Sequence, residues 1–299
     1  MVGADVDESG NLWQLNSTAA AVRRPNRLLA ELLHNPPALI GISILALLAL
    51  TAIFAPLIAR HNPDAWQFGY HLNEYPSGAH WFGTDYEGRD LFARVLFGGR
   101  ISLTAALAVV VIGAGGGVPL GLVAGYVGGL LDDIFMRVMD ILLSFPGIVF
   151  ALLVVGILSS GIGSAVIAIG IGSIPFFARF ARGSTLSIKE NDYITAARVL
   201  GTPDRRIIRR HILTNAMGPL IVLCATTYAY AILATAALSF LGVGSLPPTS
   251  DWGVLLNQGN NWIFACWTEI LFPGVAILLT TLAANLLGDG LGRVLNRRA

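Results

Sequence analysis

The sequence predicts an all-α integral membrane protein with six transmembrane helices. Hydrophobic residues make up 55% of the 299-residue chain and charged residues only 12%, and the apolar residues fall into six long runs. A chain that crosses lipid must satisfy its backbone polar groups internally, which leaves helices or closed barrels. The runs lack the alternating period of barrel strands, so each is predicted to be a helix.

The first apolar run covers residues 38–59 and contains no charged residue. At about 1.5 Å per residue, a helix of this length crosses a hydrocarbon core of about 30 Å. A cleaved signal peptide is the alternative, but 37 residues precede the run and five more runs follow, which a signal peptide does not explain. We assign residues 1–37 to an N-terminal tail, 38–59 to the first transmembrane helix and 60–99 to an external loop.

Five further runs form a domain over residues 100–289, followed by a tail at 290–299. They cover about 101–126, 134–158, 162–180, 216–241 and 270–287. Six spans place both termini on one side of the membrane. Fifteen of the nineteen Lys and Arg residues lie on that side, and only Arg60, Arg89, Arg94 and Arg100 lie on the other. The excess of positive charge predicts that both termini are cytoplasmic.

Much of this positive charge lies in one cytoplasmic segment, YITAARVLGTPDRRIIRRHIL, residues 193–213. Its composition predicts two short helices that meet at a corner at Gly201. Thr202 is placed to cap the second helix, with Pro203 at its first position and Asp204 in its first turn. Retention of positive charge on the cytoplasmic side would explain the sign of the charge in this segment. Docking of the helix pair onto a partner would also explain why the segment is patterned as two helices and a corner.

Several motifs carry a resemblance to a known family. Ala196-Ala197 followed by Gly201 resembles the E-A-A-x-x-x-G loop of permease subunits of binding-protein-dependent ABC importers. The external segment HWFGTDYEGRD, residues 80–90, resembles the C-type permeases of dipeptide, oligopeptide and nickel systems. Its motif residues are Gly83, Thr84, Asp85, Gly88, Arg89 and Asp90. Similar segments follow in family order at 140–146, 238–242 and 285–291, so the resemblance covers about residues 38–295.

The resemblance implies the transmembrane domain of a type I ABC importer, in the inner membrane of a prokaryote. It implies that the segment at about 184–213 is a coupling loop seated in a groove of a separate ATPase subunit. The residues carried over to that role are Thr195, Ala196, Ala197, Gly201, Thr202, Pro203, Asp204 and Arg205. Thr195 stands where the family motif has Glu, so a carboxylate contact with the ATPase is not carried over. Thr214 likewise replaces a usual proline.

The resemblance also implies the partners: a homologous permease forming a heterodimer, two ATP-binding subunits, an external substrate-binding protein and membrane lipid. ATP and Mg²⁺ would bind to the ATPase subunits, and this chain would bind no cofactor. Transport would proceed by alternating access. The substrate could be a dipeptide, a longer peptide, a nickel chelate or haem, and the sequence does not choose among them.

Transport could be driven by ATP hydrolysis or by an ion gradient. A P-loop requires Gly-x-x-x-x-Gly-Lys-Ser/Thr, and the single lysine, Lys189, lies in Ser-Ile-Lys-Glu, so ATP hydrolysis would need a partner. An ion-gradient-driven transporter or channel is the alternative, but such proteins commonly bury ionisable residues at mid-membrane. The acids here lie near span ends instead, at Asp132, Asp133, Asp140, Glu269 and Asp289. No residue set indicates an intramembrane enzyme or a nucleic-acid surface.

Small residues in the second span predict close helix packing. Gly113, Gly117, Gly121, Gly125 and Gly129 recur every four residues, and such stripes let helix backbones approach closely. The partner helix could belong to this chain or to a second permease. Prolines at 119, 146 and 175 predict kinks in their spans.

Histidines and tryptophans on the external side have weaker interpretations. His61, His71 and His80 share the external loop, but their spacing matches no recognised metal motif, so solvated loop histidines are preferred. Tryptophans at 252, 262 and 267 fit an aromatic belt at the membrane surface or a short re-entrant helix.

Overall fold

The computed structural model describes residues 35–65 and 72–296. The predictions for the N-terminal tail up to residue 34, for His71 and for residues 297–299 lie outside the described residues. Within those ranges all the regular secondary structure is helical, loops join the helices, and the β pairing is confined to an isolated bridge between Thr84 and Asp90. The helices are α1 Pro36–Ile53, α2 Ala55–Ile58, α3 Leu91–Val127, α4 Gly129–Leu143, α5 Gly147–Leu158, α6 Ile162–Lys189, α7 Asp192–Val199, α8 Asp204–Ile207, α9 Leu213–Phe240, α10 Trp252–Asn260 and α11 Thr268–Asn296.

The long apolar helices supply six candidate membrane crossings when the bent pair α4 and α5 is counted as one span. α1, α3, α6, α11 and the continuous stretch Asp204–Phe240 are each long and apolar enough to cross, and the bent pair α4 and α5 supplies a sixth. The third span was expected to be a kinked helix over 134–158. It is instead broken by 91°, because Pro146 adopts an extended backbone (φ −56°, ψ 130°) and disfavours helical geometry in the residue before it. Pro119 and Pro175 lie inside unbroken helices.

The start of α1 lies beside the end of α11. Asn35 Nδ2 donates a hydrogen bond to the carbonyl of Gly290 at 3.3 Å, and a Cβ on Gly41 would lie 2.6 Å from the carbonyl of Ala283. A Cβ on Gly218, near the start of α9, would lie 3.2 Å from the Leu295 side chain. These contacts define one end of the bundle, which also carries residues 192–213 and is called here the Arg-rich end. The loop at 72–90 and α10 lie at the opposite end.

The glycine stripe of α3 packs against α6 of the same chain, which answers the question left open by the sequence. Gly113, Gly117, Gly121 and Gly125 face α6. A Cβ on Gly117 would lie 2.5 Å from the carbonyl oxygen of Ile174, and one on Gly121 would overlap the carbonyl oxygen of Ala178. The two backbones approach closely because side chains are missing here.

Gly129 does not belong to this stripe, contrary to the sequence prediction. Apart from its chain neighbours and its own helix backbone, no atom lies within 4 Å of the position that its Cβ would take, and its φ is +61°. The stripe ends because α3 ends at Val127, and Gly128 (φ +70°) and Gly129 form the turn into α4. Gly129 is therefore suited to the turn rather than to helix packing.

Candidate functional site

At the Arg-rich end, α7 is attached to the bundle through a single deeply buried side chain. Ile194 is fully buried. It packs in an apolar cluster with Leu122 and Tyr126 of α3, Ala181 of α6, and Ile207 and Ile212. The rest of α7 is exposed or half-buried. Its apolar anchor therefore fixes the helix to the end of the bundle while its outer face remains open.

The corner after α7 is a helix C-cap built around Gly201. Gly201 has φ +76°, its amide donates to the carbonyl of Arg198 at 2.9 Å, and the amide of Thr202 donates to the carbonyl of Ala197 at 3.0 Å. This is the Schellman pattern, which requires a left-handed residue after the helix. The spacing from the alanines to the glycine is therefore a helix-ending signal. Apart from its chain neighbours, no atom lies within 4 Å of a Cβ at Gly201, so its conformation, not lack of space, favours glycine.

The second helix of the segment differs from the prediction. Pro203, not Thr202, occupies the N-cap position, and no side chain caps it. α8 then continues through a π-helical turn, Ile208–Ile212, directly into α9. It is the first part of the fifth span because no helix-breaking residue separates them, and Ile207 and Ile212 extend the buried face. Asp204 lies in the first turn as predicted.

Tyr126 joins the two sides of the corner to the end of α3, a role that the sequence did not reveal. Its hydroxyl donates to Asp204 Oδ1 at 2.5 Å and accepts from Arg198 Nε at 3.4 Å. The Arg198 guanidinium also lies 5.0 Å from the Tyr126 ring centroid, within cation–π range. Lys189 Nζ donates to the carbonyl of Gly125 at 2.9 Å. The corner is thus fixed to α3 by polar contacts as well as by Ile194.

The outer face of the corner combines apolar and basic groups. Val199 and Leu200 are each 83% exposed, although large apolar side chains usually avoid water. The exposed arginines Arg205, Arg206, Arg209 and Arg210, with Pro203 and Thr214, line an adjacent groove. Val199 and Leu200 occupy unspecified positions of the sequence motif, so it gave no reason to select them. Two large apolar residues directly before a corner glycine were the available signal.

Acids near the span ends pair with arginines of α6. Arg182 donates from Nε and Nη2 to the two carboxylate oxygens of Asp132, both at 2.6 Å. Arg179 donates to Asp140 at 2.5 Å. These ion pairs therefore hold α4 against α6 on the Arg-rich side of the break in the third span.

At the opposite end, the external motif forms a tight turn. Gly83 and Gly88 have φ values of +85° and +76°, and a Cβ on Gly83 would overlap the carbonyl of Glu74. The Thr84 hydroxyl accepts a hydrogen bond from the amide of Glu74 at 2.9 Å. Asp90 caps α3 by accepting from the amide of Ala93 at 2.7 Å. These motif residues shape the loop that leads into α3.

The charged residues of the motif are buried with Arg94 and Gln258. Asp85, Arg89 and Arg94 are at most 2% exposed. Asp85 Oδ2 accepts from Arg89 Nε at 2.8 Å and from Arg94 Nη1, which also donates to Gln258 Oε1 at 3.0 Å. The network joins the external loop, α3 and α10. Arg94 and Gln258 were not selected from the sequence because they are 164 residues apart.

Tyr86 and Trp252 also belong to this end of the bundle. Burial raises the pKa of the Tyr86 phenol, and the hydrogen bond with Glu87 raises it further. Trp252 is buried and its indole nitrogen donates to the carbonyl of Val95 at 2.9 Å. Trp252 therefore packs α10 against α3 instead of belonging to an aromatic belt, whereas Trp262 and Trp267 are exposed.

One histidine of the external loop also differs from the prediction. His80 is buried rather than solvated, and its Nδ1 lies 2.8 Å from Asp90 Oδ2. His61 Nδ1 lies 3.5 Å from the same oxygen. The fold brings these side chains together from positions whose spacing carried no recognisable pattern.

A cavity of about 420 Å³ opens beside the break in the third span. It is lined by residues of α4, α5, α6 and α9, mostly apolar. The hydroxyl groups in the lining belong to Ser173, Thr226, Thr227 and Tyr230. The sequence did not predict these residues because they share no motif.

Comparisons with known proteins identify the class of this chain. Residues 117–299 match the model of the binding-protein-dependent transport system inner membrane component family. Residues 27–76 match the N-terminal TM domain of oligopeptide transport permease C. A chain of the MetNI methionine ABC transporter, solved in an inward-facing conformation, shares the fold with a TM-score of 0.53 at 21% identity, covering 70% of this chain and 96% of that chain.

Curated relatives extend the match to most of the sequence. The chain is 44% identical over 252 residues to the glutathione transport system permease protein GsiD of Pectobacterium atrosepticum, covering 84% of this chain and 83% of the relative. It is 42% identical over 256 residues to the probable D,D-dipeptide transport system permease protein DdpC of Escherichia coli K12, covering 86% of each. The chain belongs to the family of binding-protein-dependent transport system inner membrane components. It is a multi-pass permease subunit of an ATP-driven ABC importer, which confirms the predicted class and rejects the gradient-driven alternative.

Proposed function

We propose that this chain transports a peptide-class substrate across the inner membrane, with residues 192–213 as the docking element for a separate ATPase subunit. The observation that carries the docking proposal is the exposed pair Val199 and Leu200, held at a corner that Ile194 and Tyr126 fix to the bundle. Burying two such side chains in a groove is favourable by about 1.5–3 kcal/mol each. The flanking arginines would contact acidic groups or lipid headgroups around that groove.

The fixed corner supports a mechanical role. Ile194, Ile207 and Ile212 pack in one cluster with residues of α3 and α6, so a force on α7 reaches three spans. ATP-driven closure of two ATPase subunits would move the corners of this chain and of a homologous permease together, opening the spans outward. Hydrolysis would reverse the shift. The chain then acts as a two-state element whose populations the ATPases change by differential binding.

The remaining assignments follow from the same proposal. The single lysine of the chain lies outside any P-loop pattern, so ATP and Mg²⁺ would bind only to partner subunits. Docking of ATPases at the Arg-rich end would place this end of the bundle, and with it both termini, on the cytoplasmic side. An external binding protein would meet the opposite end. The names of the relatives support a peptide-class substrate, and the hydroxyl groups of the cavity supply hydrogen-bond partners for peptide amides.

The docking proposal is tested by Leu200→Asp. A charge at this position would be desolvated in a groove, so we expect the ATPase subunits to be lost from the complex purified in mild detergent, while the permease remains in the membrane. Leu246→Asp is the matched control, because Leu246 is also an exposed leucine but lies at the opposite end. Its complex should keep the ATPase subunits. Full ATPase retention and normal uptake in the Leu200 variant would contradict the assignment.

The substrate class needs a separate experiment. The wild-type complex, reconstituted in vesicles with its binding protein and internal ATP, should accumulate labelled glutathione or dipeptide. Competition by unlabelled peptides of increasing length would define the preferred size. Uptake of a nickel chelate or haem without competition by peptides would reject the peptide class and leave the docking proposal unaffected.

A further inference from the structure

We propose that His61, His80 and Asp90 form a binding site for a first-row divalent metal ion, with Zn²⁺ the best fit. One ligand atom of each residue lies within 4.8 Å of the other two. Within residues 35–65 and 72–296, no other group of three such side chains meets that condition. This inference is independent of the proposed docking and substrate.

One distance suits a tetrahedral ion better than a hydrogen bond, whereas the other is that of a hydrogen bond in the absence of an ion. Bonds of about 2.05 Å at tetrahedral angles place neighbouring ligand atoms about 3.3 Å apart. His61 Nδ1 lies 3.5 Å from Asp90 Oδ2, which is longer than an ordinary N–H···O hydrogen bond but close to that separation. His80 Nδ1 lies 2.8 Å from the same oxygen, so metal binding would move these two atoms apart by about 0.5 Å.

The carboxylate is oriented independently of any ion. Asp90 Oδ1 accepts the amide hydrogen bond of Ala93 at 2.7 Å and caps α3, which leaves Oδ2 directed at the two imidazoles. Such outer contacts fix ligand orientation in metal sites. The backbone of His80 is also constrained, because its carbonyl accepts from the amides of Ser77 and Gly83 at 2.8 and 3.1 Å. Two of the three ligands are therefore preorganised.

The donor set selects the kind of ion. Two imidazole nitrogens and one carboxylate oxygen suit Zn²⁺, Co²⁺ or Ni²⁺, whereas Ca²⁺ and Mg²⁺ prefer oxygen ligands alone. The side chain of His61 is 37% exposed while those of His80 and Asp90 are at most 7% exposed. Water can therefore reach the site past His61 and supply a fourth ligand.

The location indicates a structural role rather than cargo binding. His61 follows α2 at the end of the first span, His80 lies in the external loop, and Asp90 is the N-cap of α3. A bound ion would tie the first span to the transport domain through three separate segments. None of the three residues lines the cavity beside the third span.

Metal titration of the full-length chain, purified with its co-purifying subunits through a tag without histidine, tests the proposal. After chelation and buffer exchange, Co²⁺ should give the visible absorption of a low-coordinate site at one equivalent, and Zn²⁺ should abolish it. His61→Asn removes one ligand but keeps the contact between His80 and Asp90. We expect it to weaken binding by at least the 10- to 100-fold that loss of an outer-shell partner typically costs.

His211→Asn is the matched control, because His211 lies at the Arg-rich end beside Tyr193. It should bind Co²⁺ like the wild type, and Zn²⁺ should raise the thermal midpoint of both but not that of the His61 variant. Equal binding by the His61 variant, or no saturable binding by the wild type, overturns the proposal. A thermal midpoint that responds to pH but not to Zn²⁺ also overturns the metal-site proposal, because His80 and Asp90 would then be only a hydrogen-bonded pair.

Discussion

Replacing Arg94 with methionine should destabilise the end of the bundle that carries the external motif. Arg94 is fully buried and donates to Asp85 and Gln258. Removing one partner of a buried ion pair costs about 3–5 kcal/mol, because the other charge is left uncompensated. Asp85 keeps Arg89 at 2.8 Å, so we expect a loss near the lower limit, about 3 kcal/mol.

Stepwise unfolding in SDS, followed by tryptophan fluorescence, measures this loss on the purified chain. Arg100→Met is the matched control, because Arg100 lies on the same helix but is exposed, and its change should stay within about 0.5 kcal/mol. Asp85→Asn and the double variant complete a cycle, with an expected coupling of about 0.5–3 kcal/mol. Strictly additive losses, or an Arg94 variant no weaker than the Arg100 variant, would refute the buried-pair argument.

Two further predictions concern the packing of α3. Gly121→Ala should lower the thermal midpoint of the purified complex, since its Cβ would overlap the carbonyl of Ala178 and overpacking costs about 1–3 kcal/mol. Gly115→Ala is the control, because the space around its Cβ is open, and it should leave the midpoint unchanged. Equal midpoints for the two variants would argue against close packing with α6. Tyr126→Phe removes the hydrogen bond to Asp204, worth about 1 kcal/mol, so amides of residues 192–204 should exchange with deuterium about fivefold faster. Tyr193→Phe, which alters an exposed contact with Asn215, is its control, and unchanged exchange in the Tyr126 variant would reject the role of Tyr126 as a fixing point.

The sequence alone determined the membrane class, the number of crossings and the position of the exposed corner. Lipid imposes a long apolar run on every crossing, and a left-handed helix cap favours glycine; both requirements act on neighbouring residues, so they are visible in the linear order. The corner at Gly201 was therefore predictable, although the exposed pair Val199 and Leu200 was not selected.

The tertiary structure decided which distant residues meet. Pairing of Arg94 with Gln258, and of His61 and His80 with Asp90, depends on how the spans pack, and no local rule encodes those contacts. The glycine stripe of α3 showed that some helix approaches closely, but only the packing of the bundle identified α6 as that helix. The physical reason is that backbone conformation is set largely by neighbouring residues, whereas buried charges and metal ligands are satisfied by partners from any part of the chain.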